Sequence, residues 1–183
     1  MPYRFVVLIK QVPDMNAVRV DRATGQPVLS GQNVISSSDE VAIEEALRLK
    51  ERYGGEITVV TAGPPSVKDA ITRALAMGAD RGLIISIANP NECDTLALSE
   101  TIAKHIKTMS FDVILTGQYS DDYAAGQVGS QVAELLGIPQ VGSVTSVEAN
   151  GATLTVGRDT EDGRQTIEVQ TPVVLLTQAG LNA

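Results

Sequence analysis

The chain has 183 residues; 43% are hydrophobic and 20% are charged, and 22 acidic against 14 basic side chains give a net charge of −8. This composition excludes intrinsic disorder, because the apolar fraction suffices to bury a core, and it opposes nucleic-acid binding, which needs a cationic surface. The single cysteine, Cys93, excludes a disulfide framework and a cysteine-cluster metal site. We therefore expect one domain over residues 1–183.

The first three-quarters of the chain alternates predicted strands with predicted helices. Its opening apolar run, residues 5–9, is too short for a signal or membrane segment and predicts a buried strand, so we expect a cytoplasmic protein without membrane insertion. A polar stretch over 14–33 predicts an irregular excursion or a small hairpin. Further strands are expected over 56–62, 82–87 and 112–116, and helices from 36–40 to Gly54, from 67 to Gly78, over 94–108 and over 127–136.

The first predicted helix carries a possible capping signal. Ser37 and Glu40 have the spacing of a capping box, in which each side chain satisfies a free backbone N–H at the helix start. Gly54-Gly55 ends the helix, because glycine readily adopts the left-handed conformation that stops helices.

In the last quarter of the chain, apolar and polar residues alternate with a period of two. Alternating apolar and polar residues over 144–147, 153–156 and 166–169 predict antiparallel strands. Asn150-Gly151 and Asp162-Gly163 join them, and these dipeptides are strong hairpin signals. A final apolar strand follows over 172–177. The sequence thus predicts an α/β fold with an antiparallel extension over 142–178.

In an open parallel sheet, ligands bind beyond the carboxyl ends of the strands, where the strand order reverses. This rule selects four segments: Leu8–Gln11, Thr61–Pro64, Thr116–Asp122 and Gly126–Gly129. The glycines of the last segment either let a helix N-terminus bind phosphate or only permit a tight turn and close helix packing. The G-x-G-x-x-G and G-x-x-x-x-G-K-[ST] fingerprints are absent, which weakens the common dinucleotide and P-loop interpretations.

A catalytic constellation is not evident. His105, the only histidine, is expected to be a solvated helix residue, and Cys93 has no second histidine to pair with. Asp121 and Asp122 could hold ribose hydroxyls or a metal, or could cap a helix, which we favour for Asp121. We expect no catalytic residue and no metal site, and so a nucleotide pocket without catalytic machinery.

Read together, several segments resemble the β subunit of electron transfer flavoprotein, including the FixA type. The resemblance spans essentially the whole chain. The segments that carry it are residues 10–14 (Lys-Gln-Val-Pro-Asp), 39–51, 62–64 (Ala-Gly-Pro), 73–82, 127–140 and the ribbon over 156–175.

The resemblance implies a Rossmann-like fold of the adenine-nucleotide α-hydrolase type, a doubly wound, mostly parallel sheet with strand order 3-2-1-4-5. It implies an electron carrier subunit rather than an enzyme, which binds AMP, or FAD in electron-bifurcating members that also use NADH. The implied partner is an α subunit that carries FAD and passes electrons from flavin dehydrogenases to an acceptor. The alternative is a universal-stress-type adenine-nucleotide-binding protein or weak ATPase on the same fold. An interaction-only scaffold with an empty pocket is the third possibility.

The same resemblance implies which residues lie against the nucleotide: Leu8, Ile9, Lys10, Ser36, Ser38, Asp39, Thr61, Ala62, Gly117, Asp122, Gly126, Gln127, Val128 and Gly129. The chain departs from the family at residues 36–38, where Asn-Pro and an aromatic are usual, and at Tyr123, where Asp or Gly is usual. The family also continues past the position of Ala183 into a dehydrogenase-docking loop and a partner-binding arm. We therefore expect weak or absent dehydrogenase docking for this chain, which a pull-down would test.

Overall fold

A computed structural model describes residues 2–29, 31–88 and 93–182 and shows one eight-stranded sheet with helices on both faces. The helices are α1 (Ser37–Tyr53), α2 (Lys68–Met77), α3 (Thr95–Ile106) and α4 (Val128–Leu136). The strands of this sheet are β1 (Tyr3–Leu8), β6 (Gly55–Gly63), β7 (Arg81–Ser86), β8 (Val113–Gly117), β9 (Gln140–Asn150), β10 (Thr153–Thr160), β11 (Gly163–Gln170) and β12 (Val173–Thr177).

The parallel part of the sheet has the predicted strand order. Across the sheet the strands run β7-β6-β1-β8-β12, which in chain order is 3-2-1-4-5. Strands that are covered on both faces read as continuous apolar runs rather than as an alternation. Residues 113–115 of the central strand β8, for example, are fully buried. The predicted doubly wound α/β fold is confirmed.

The predicted antiparallel ribbon is also confirmed, but it does not stand apart from the parallel sheet. Strands β9, β10 and β11 are joined at the two predicted hairpins, and β9 pairs in parallel with β12. The ribbon therefore extends the same sheet beyond β12. Its three strands are longer than the alternating pattern alone indicated.

The two faces of the sheet have separate apolar cores, because successive side chains of a strand point to opposite faces. Phe5, Val7 and Ile9 pack against α1 and α2, whereas Val6 and Leu8 pack against α3 and α4. The helices thus lie in two layers around the sheet. None of the helices in the described part of the chain is long and apolar enough to cross a membrane.

The excursion between β1 and α1 forms two small strand pairs. Strands β2 (Gln11–Pro13) and β5 (Asn33–Ile35) pair at its base, and β3 (Arg19–Val20) pairs with β4 (Pro27–Val28) at its tip. The predicted small hairpin is therefore present. Pairing at its base returns the chain to the end of β1, where α1 begins.

Candidate functional site

The strand order reverses between β1 and β8. The chain leaves β1 toward α1 on one face of the sheet and leaves β8 toward α4 on the other face. Two neighbouring strands whose connections diverge in this way leave a crevice beyond their carboxyl ends. The candidate site is this edge of the sheet, formed by the ends of β6, β1 and β8, the start of α1, and the loop that joins β8 to α4.

Asp39 joins the two strands at the reversal. Its carboxylate accepts a hydrogen bond of 2.8 Å from the Lys10 backbone N–H, at the end of β1, and one of 2.9 Å from the Gly117 N–H, at the end of β8. Burial raises the pKa of Asp39 to about 7, although these two N–H groups oppose the shift. Asp39 therefore fixes the separation of the two strand ends.

The N-terminus of α1 is capped by a residue from a distant loop. Asp121, which follows β8, accepts hydrogen bonds of 2.8 Å from both the backbone N–H and the hydroxyl of Ser37. In return, the Asp121 N–H donates to the Ser36 hydroxyl oxygen. The predicted capping box of Ser37 and Glu40 is thus wrong, because the Asp121 carboxylate already satisfies the Ser37 N–H. The favoured capping role of Asp121 is correct, but the helix that it caps is α1.

Asp122 and Lys10 form an ion pair that joins the segments following β8 and β1. The Lys10 Nζ lies 2.7 Å from Asp122 Oδ2 and 4.8 Å from the centre of the Tyr123 ring. Burial raises the pKa of the Asp122 carboxyl, but the hydrogen bond and charge of Lys10 outweigh it, so the pKa lies below its ordinary value. Asp122 therefore carries a charge at neutral pH that Lys10 balances.

The α3/α4 face of the edge is lined by apolar side chains, of which Ala62 and Val128 are partly exposed and Leu8 is 5% exposed. Leu8 belongs to the core on that face, and the partly buried Ala62 and Val128 pack against the same core. These three residues come from β1, β6 and α4 and were all predicted to contact the nucleotide. A surface of this kind suits one side of a planar ring.

On the α1 side of the edge, the predicted site residues are buried. Ile9, Ser36, Ser38, Asp39 and Thr61 are all less than 9% exposed. Thr61, on β6, is 2% exposed, and its hydroxyl has no hydrogen-bond partner in the described part of the chain. The predicted site residues that keep some exposure to solvent are Lys10, Ala62, Asp122, Gly126, Gln127 and Val128, and the others are buried.

The start of α4 leaves backbone N–H groups free. The first N–H groups of a helix have no acceptor within the helix, and no side chain among the described residues caps α4 at Gln127. The Gln127 side chain instead accepts a hydrogen bond of 2.7 Å from the Thr95 hydroxyl of α3. Gly126 precedes it with a φ of 62°, a conformation that favours glycine.

Two predicted glycines permit close packing at this edge. A Cβ on Gly117 would lie 2.6 Å from Ser38 Cβ, and a Cβ on Gly129 would lie 2.7 Å from Thr116 Cγ2. Gly117 thus lets the start of α1 rest on β8, and Gly129 lets α4 rest on β8 and β12. Their contact with a nucleotide stays a prediction.

All of the predicted site residues lie along this one edge of the sheet, and the sequence reasoning missed two features there. Asp121 was assigned only a local capping role, and Tyr123 was noted only as a departure from the family. Nothing in the local sequence shows that Asp121 would contact a helix start 84 residues away. The exposed aromatic in a chain with 3% aromatics was the available signal for Tyr123.

The remaining candidates lie away from this edge. His105 is exposed on α3, where its Nδ1 contacts the Thr101 carbonyl oxygen, and Cys93 is exposed before the same helix. The described residues contain no group of three or more histidine, cysteine or acidic side chains that could hold a metal ion.

Comparison with known proteins assigns the family. The family model described as "Electron transfer flavoprotein domain" matches residues 28–183. The "Electron transfer flavoprotein subunit beta" of Clostridium acetobutylicum is 44% identical over 178 residues, which cover 97% of this chain and 69% of the relative. The "Caffeyl-CoA reductase-Etf complex subunit CarD" of Acetobacterium woodii is 38% identical over 98% of this chain and 70% of the relative.

A relative named FixA matches over a similar extent. "Protein FixA" of Sinorhizobium fredii is 35% identical over 187 residues, which cover 97% of this chain and 66% of the relative. The chain belongs to the β-subunit (FixA) family of electron transfer flavoproteins, and its role is in electron transport.

Proposed function

We propose that this protein is an electron-carrying β subunit that holds AMP or FAD at the edge formed by β6, β1, β8 and α4, and that it pairs with an FAD-carrying α subunit. The observation that carries the proposal is the uncapped N-terminus of α4 at the strand reversal. Its free N–H groups and the positive end of the helix dipole suit a phosphate group.

The other helices support this reading of α4. A carboxylate lies at the start of each of them: Asp39 in α1, Asp69 in α2 and Asp94 at the N-cap of α3. No acidic residue lies in the first turn of α4. An anion supplied by a ligand would therefore take at α4 the place that the chain's own carboxylates take elsewhere.

The apolar surface beside α4 fits the other part of the nucleotide. Leu8, Ala62 and Val128 would contact the base, and the N–H groups of residues 128–130 would hold the nearest phosphate. Asp39 and Asp121 would position the site without contacting the nucleotide. The Asp39 carboxylate fixes the strand ends, and the Asp121 carboxylate fixes the start of α1. A bound FAD would supply one- and two-electron redox chemistry, whereas AMP would supply none.

The names of relatives support assembly with partners. One relative is the electron transfer subunit gamma of an acryloyl-CoA reductase and another belongs to a caffeyl-CoA reductase–Etf complex. We therefore propose that the chain works within a complex, with its α subunit passing electrons from a flavin dehydrogenase to an acceptor. The chain itself would position the nucleotide and exclude water from it.

Co-expression with an electron transfer flavoprotein α subunit tests the proposal. The complex is purified under native conditions and extracted with acid, and its flavin and AMP are counted by mass analysis. One flavin and one AMP per heterodimer place AMP in this subunit; two flavins place FAD here and indicate the bifurcating type. A complex without any second nucleotide contradicts the proposal. ATP hydrolysis above background by the chain alone would favour the alternative of a weak ATPase.

A further inference from the structure

We propose that Tyr123 selects FAD over AMP, by stacking on the isoalloxazine ring that AMP lacks. The inference rests on the proposed function, since it concerns the same nucleotide site. The inference adds Tyr123 to the site, as a side chain that AMP binding does not require. Three features of the loop between β8 and α4 support it.

The first feature is that the loop is fixed on both sides of Tyr123. Asp121 is held by Ser37, and Asp122 is held by Lys10. On the other side, Ala124 has a φ of 51°, which residues other than glycine rarely adopt. Such a conformation persists only where the surrounding contacts impose it, and it is frequent at ligand sites.

The second feature is the state of the Tyr123 ring. The side chain is 70% exposed, yet the Lys10 Nζ lies 4.8 Å from the ring centre. An ammonium over a ring is attracted by the negative face of its π-system and so restrains the ring. The rest of the ring stays open to solvent. A ring that is restrained before binding loses less conformational freedom when a ligand stacks on it.

The third feature is the position of the loop relative to the two halves of a dinucleotide. The apolar surface of Leu8 and Ala62 lies at β1 and β6, whereas the loop leaves β8 on the other side of β1. The free N–H groups of α4 follow the loop directly. A nucleotide with its base at β1 and β6 and its phosphate at α4 does not need to reach the Tyr123 ring, even where it contacts other residues of the loop. A second half that continues past the phosphate would lie against this ring.

Binding of AMP and of FAD to the full chain tests the inference, after bound nucleotide is removed. Tyr123→Ala is expected to weaken FAD binding about tenfold to a hundredfold, the usual range for a lost aromatic stack. It leaves AMP binding within about twofold of the wild-type value. Flavin fluorescence of bound FAD rises, because a stacked tyrosine quenches it. Tyr123→Phe keeps the ring and is expected to bind FAD with wild-type affinity.

Tyr119→Ala is the matched control, because Tyr119 is an exposed tyrosine of the same loop with no cation over its ring in the described structure. It is expected to change neither affinity. Equal affinities of wild type and Tyr123→Ala for FAD overturn the inference, as does an equal loss for AMP and FAD. A wild-type chain that binds neither nucleotide overturns the proposed function as well.

Discussion

At the scale of single residues, the geometry of the site depends most on the two hydrogen bonds that Asp39 accepts. Asp39→Ala leaves the N–H groups of Lys10 and Gly117 without an acceptor in a buried position. We expect a loss of about 2–5 kcal/mol in the free energy of unfolding, since each buried unsatisfied group costs about 1–3 kcal/mol. Urea unfolding measures this loss, and nucleotide affinity falls with it.

Asp21 provides a matched control for Asp39. It also accepts two backbone hydrogen bonds, both of 2.8 Å, from Ala23 and Thr24, but it is exposed. Water replaces the lost acceptor in Asp21→Ala, so we expect a change below about 1 kcal/mol. Equal effects of the two substitutions would show that Asp39 does not hold the strand ends together.

The sequence indicated that Asp39 belongs to the site but not how it acts. Its partners are backbone N–H groups at positions 10 and 117, and any residue type at those positions apart from proline offers the same donor. A hydrogen bond of this kind therefore leaves no signal in residue identity. The hydrogen bond from the Ser37 backbone N–H to Asp121 is hidden for the same reason.

At the scale of elements, the uncapped start of α4 is the feature that the proposed function requires. Ser130→Asp places a carboxylate in the first turn of α4, as the other helices already have near their starts. We expect the helix to gain about 0.3–1 kcal/mol of stability from the interaction with its dipole. Nucleotide affinity nevertheless falls, because the carboxylate repels the phosphate and competes for the N–H groups.

Opposite changes in stability and affinity separate a binding effect from a folding effect. Thermal unfolding and calorimetric titration with AMP or FAD measure the two quantities on the same sample. Ser130→Asn is the control, because it is similar in size and carries no charge. Undiminished affinity in Ser130→Asp would show that the phosphate does not lie at α4.

The elements themselves were largely predictable. Apolar runs bounded by glycine or proline located the strands, whereas the strand order was implied by the family resemblance. The edge that carries the site followed from that order. The burial of the site residues on the α1 side of the edge was not predictable. It depends on how close α1 approaches β8, which the missing Cβ of Gly117 permits.

At the scale of the whole molecule, two buried carboxyl groups couple folding to pH. Burial raises the pKa of Asp39 from 3.8 to about 7, and burial raises the pKa of Glu45 from 4.5 to about 7, although the charge of Arg48 opposes the latter shift. Between the ordinary pKa values of these two groups and about pH 7, the folded chain keeps protons that the unfolded chain has released. Stability therefore falls as the pH rises through this range.

Other carboxyl groups affect the stability of the fold in a more acidic pH range. Asp80, Asp112 and Asp122 have pKa values below the ordinary value of 3.8, so the stability that they contribute is lost only under more acidic conditions. Near neutral pH, Asp39 and Glu45 therefore determine how stability changes with pH. The net charge of −8 acts in the same direction, because self-repulsion grows as carboxyl groups ionise.

We therefore expect the free energy of unfolding, measured in urea, to fall between about pH 5 and about pH 7, by at most about 1.4 kcal/mol per pH unit for each group. Glu45→Gln removes one titration and makes the slope shallower. Glu44→Gln removes a neighbouring charge that raises the pKa of Glu45, so it is expected to make the slope slightly shallower as well. A wild-type stability that rises over this range would show that neither Asp39 nor Glu45 holds a proton in the folded chain. Because Asp39 also fixes the strand ends, nucleotide affinity should vary with pH over the same interval in wild type and in Glu45→Gln alike.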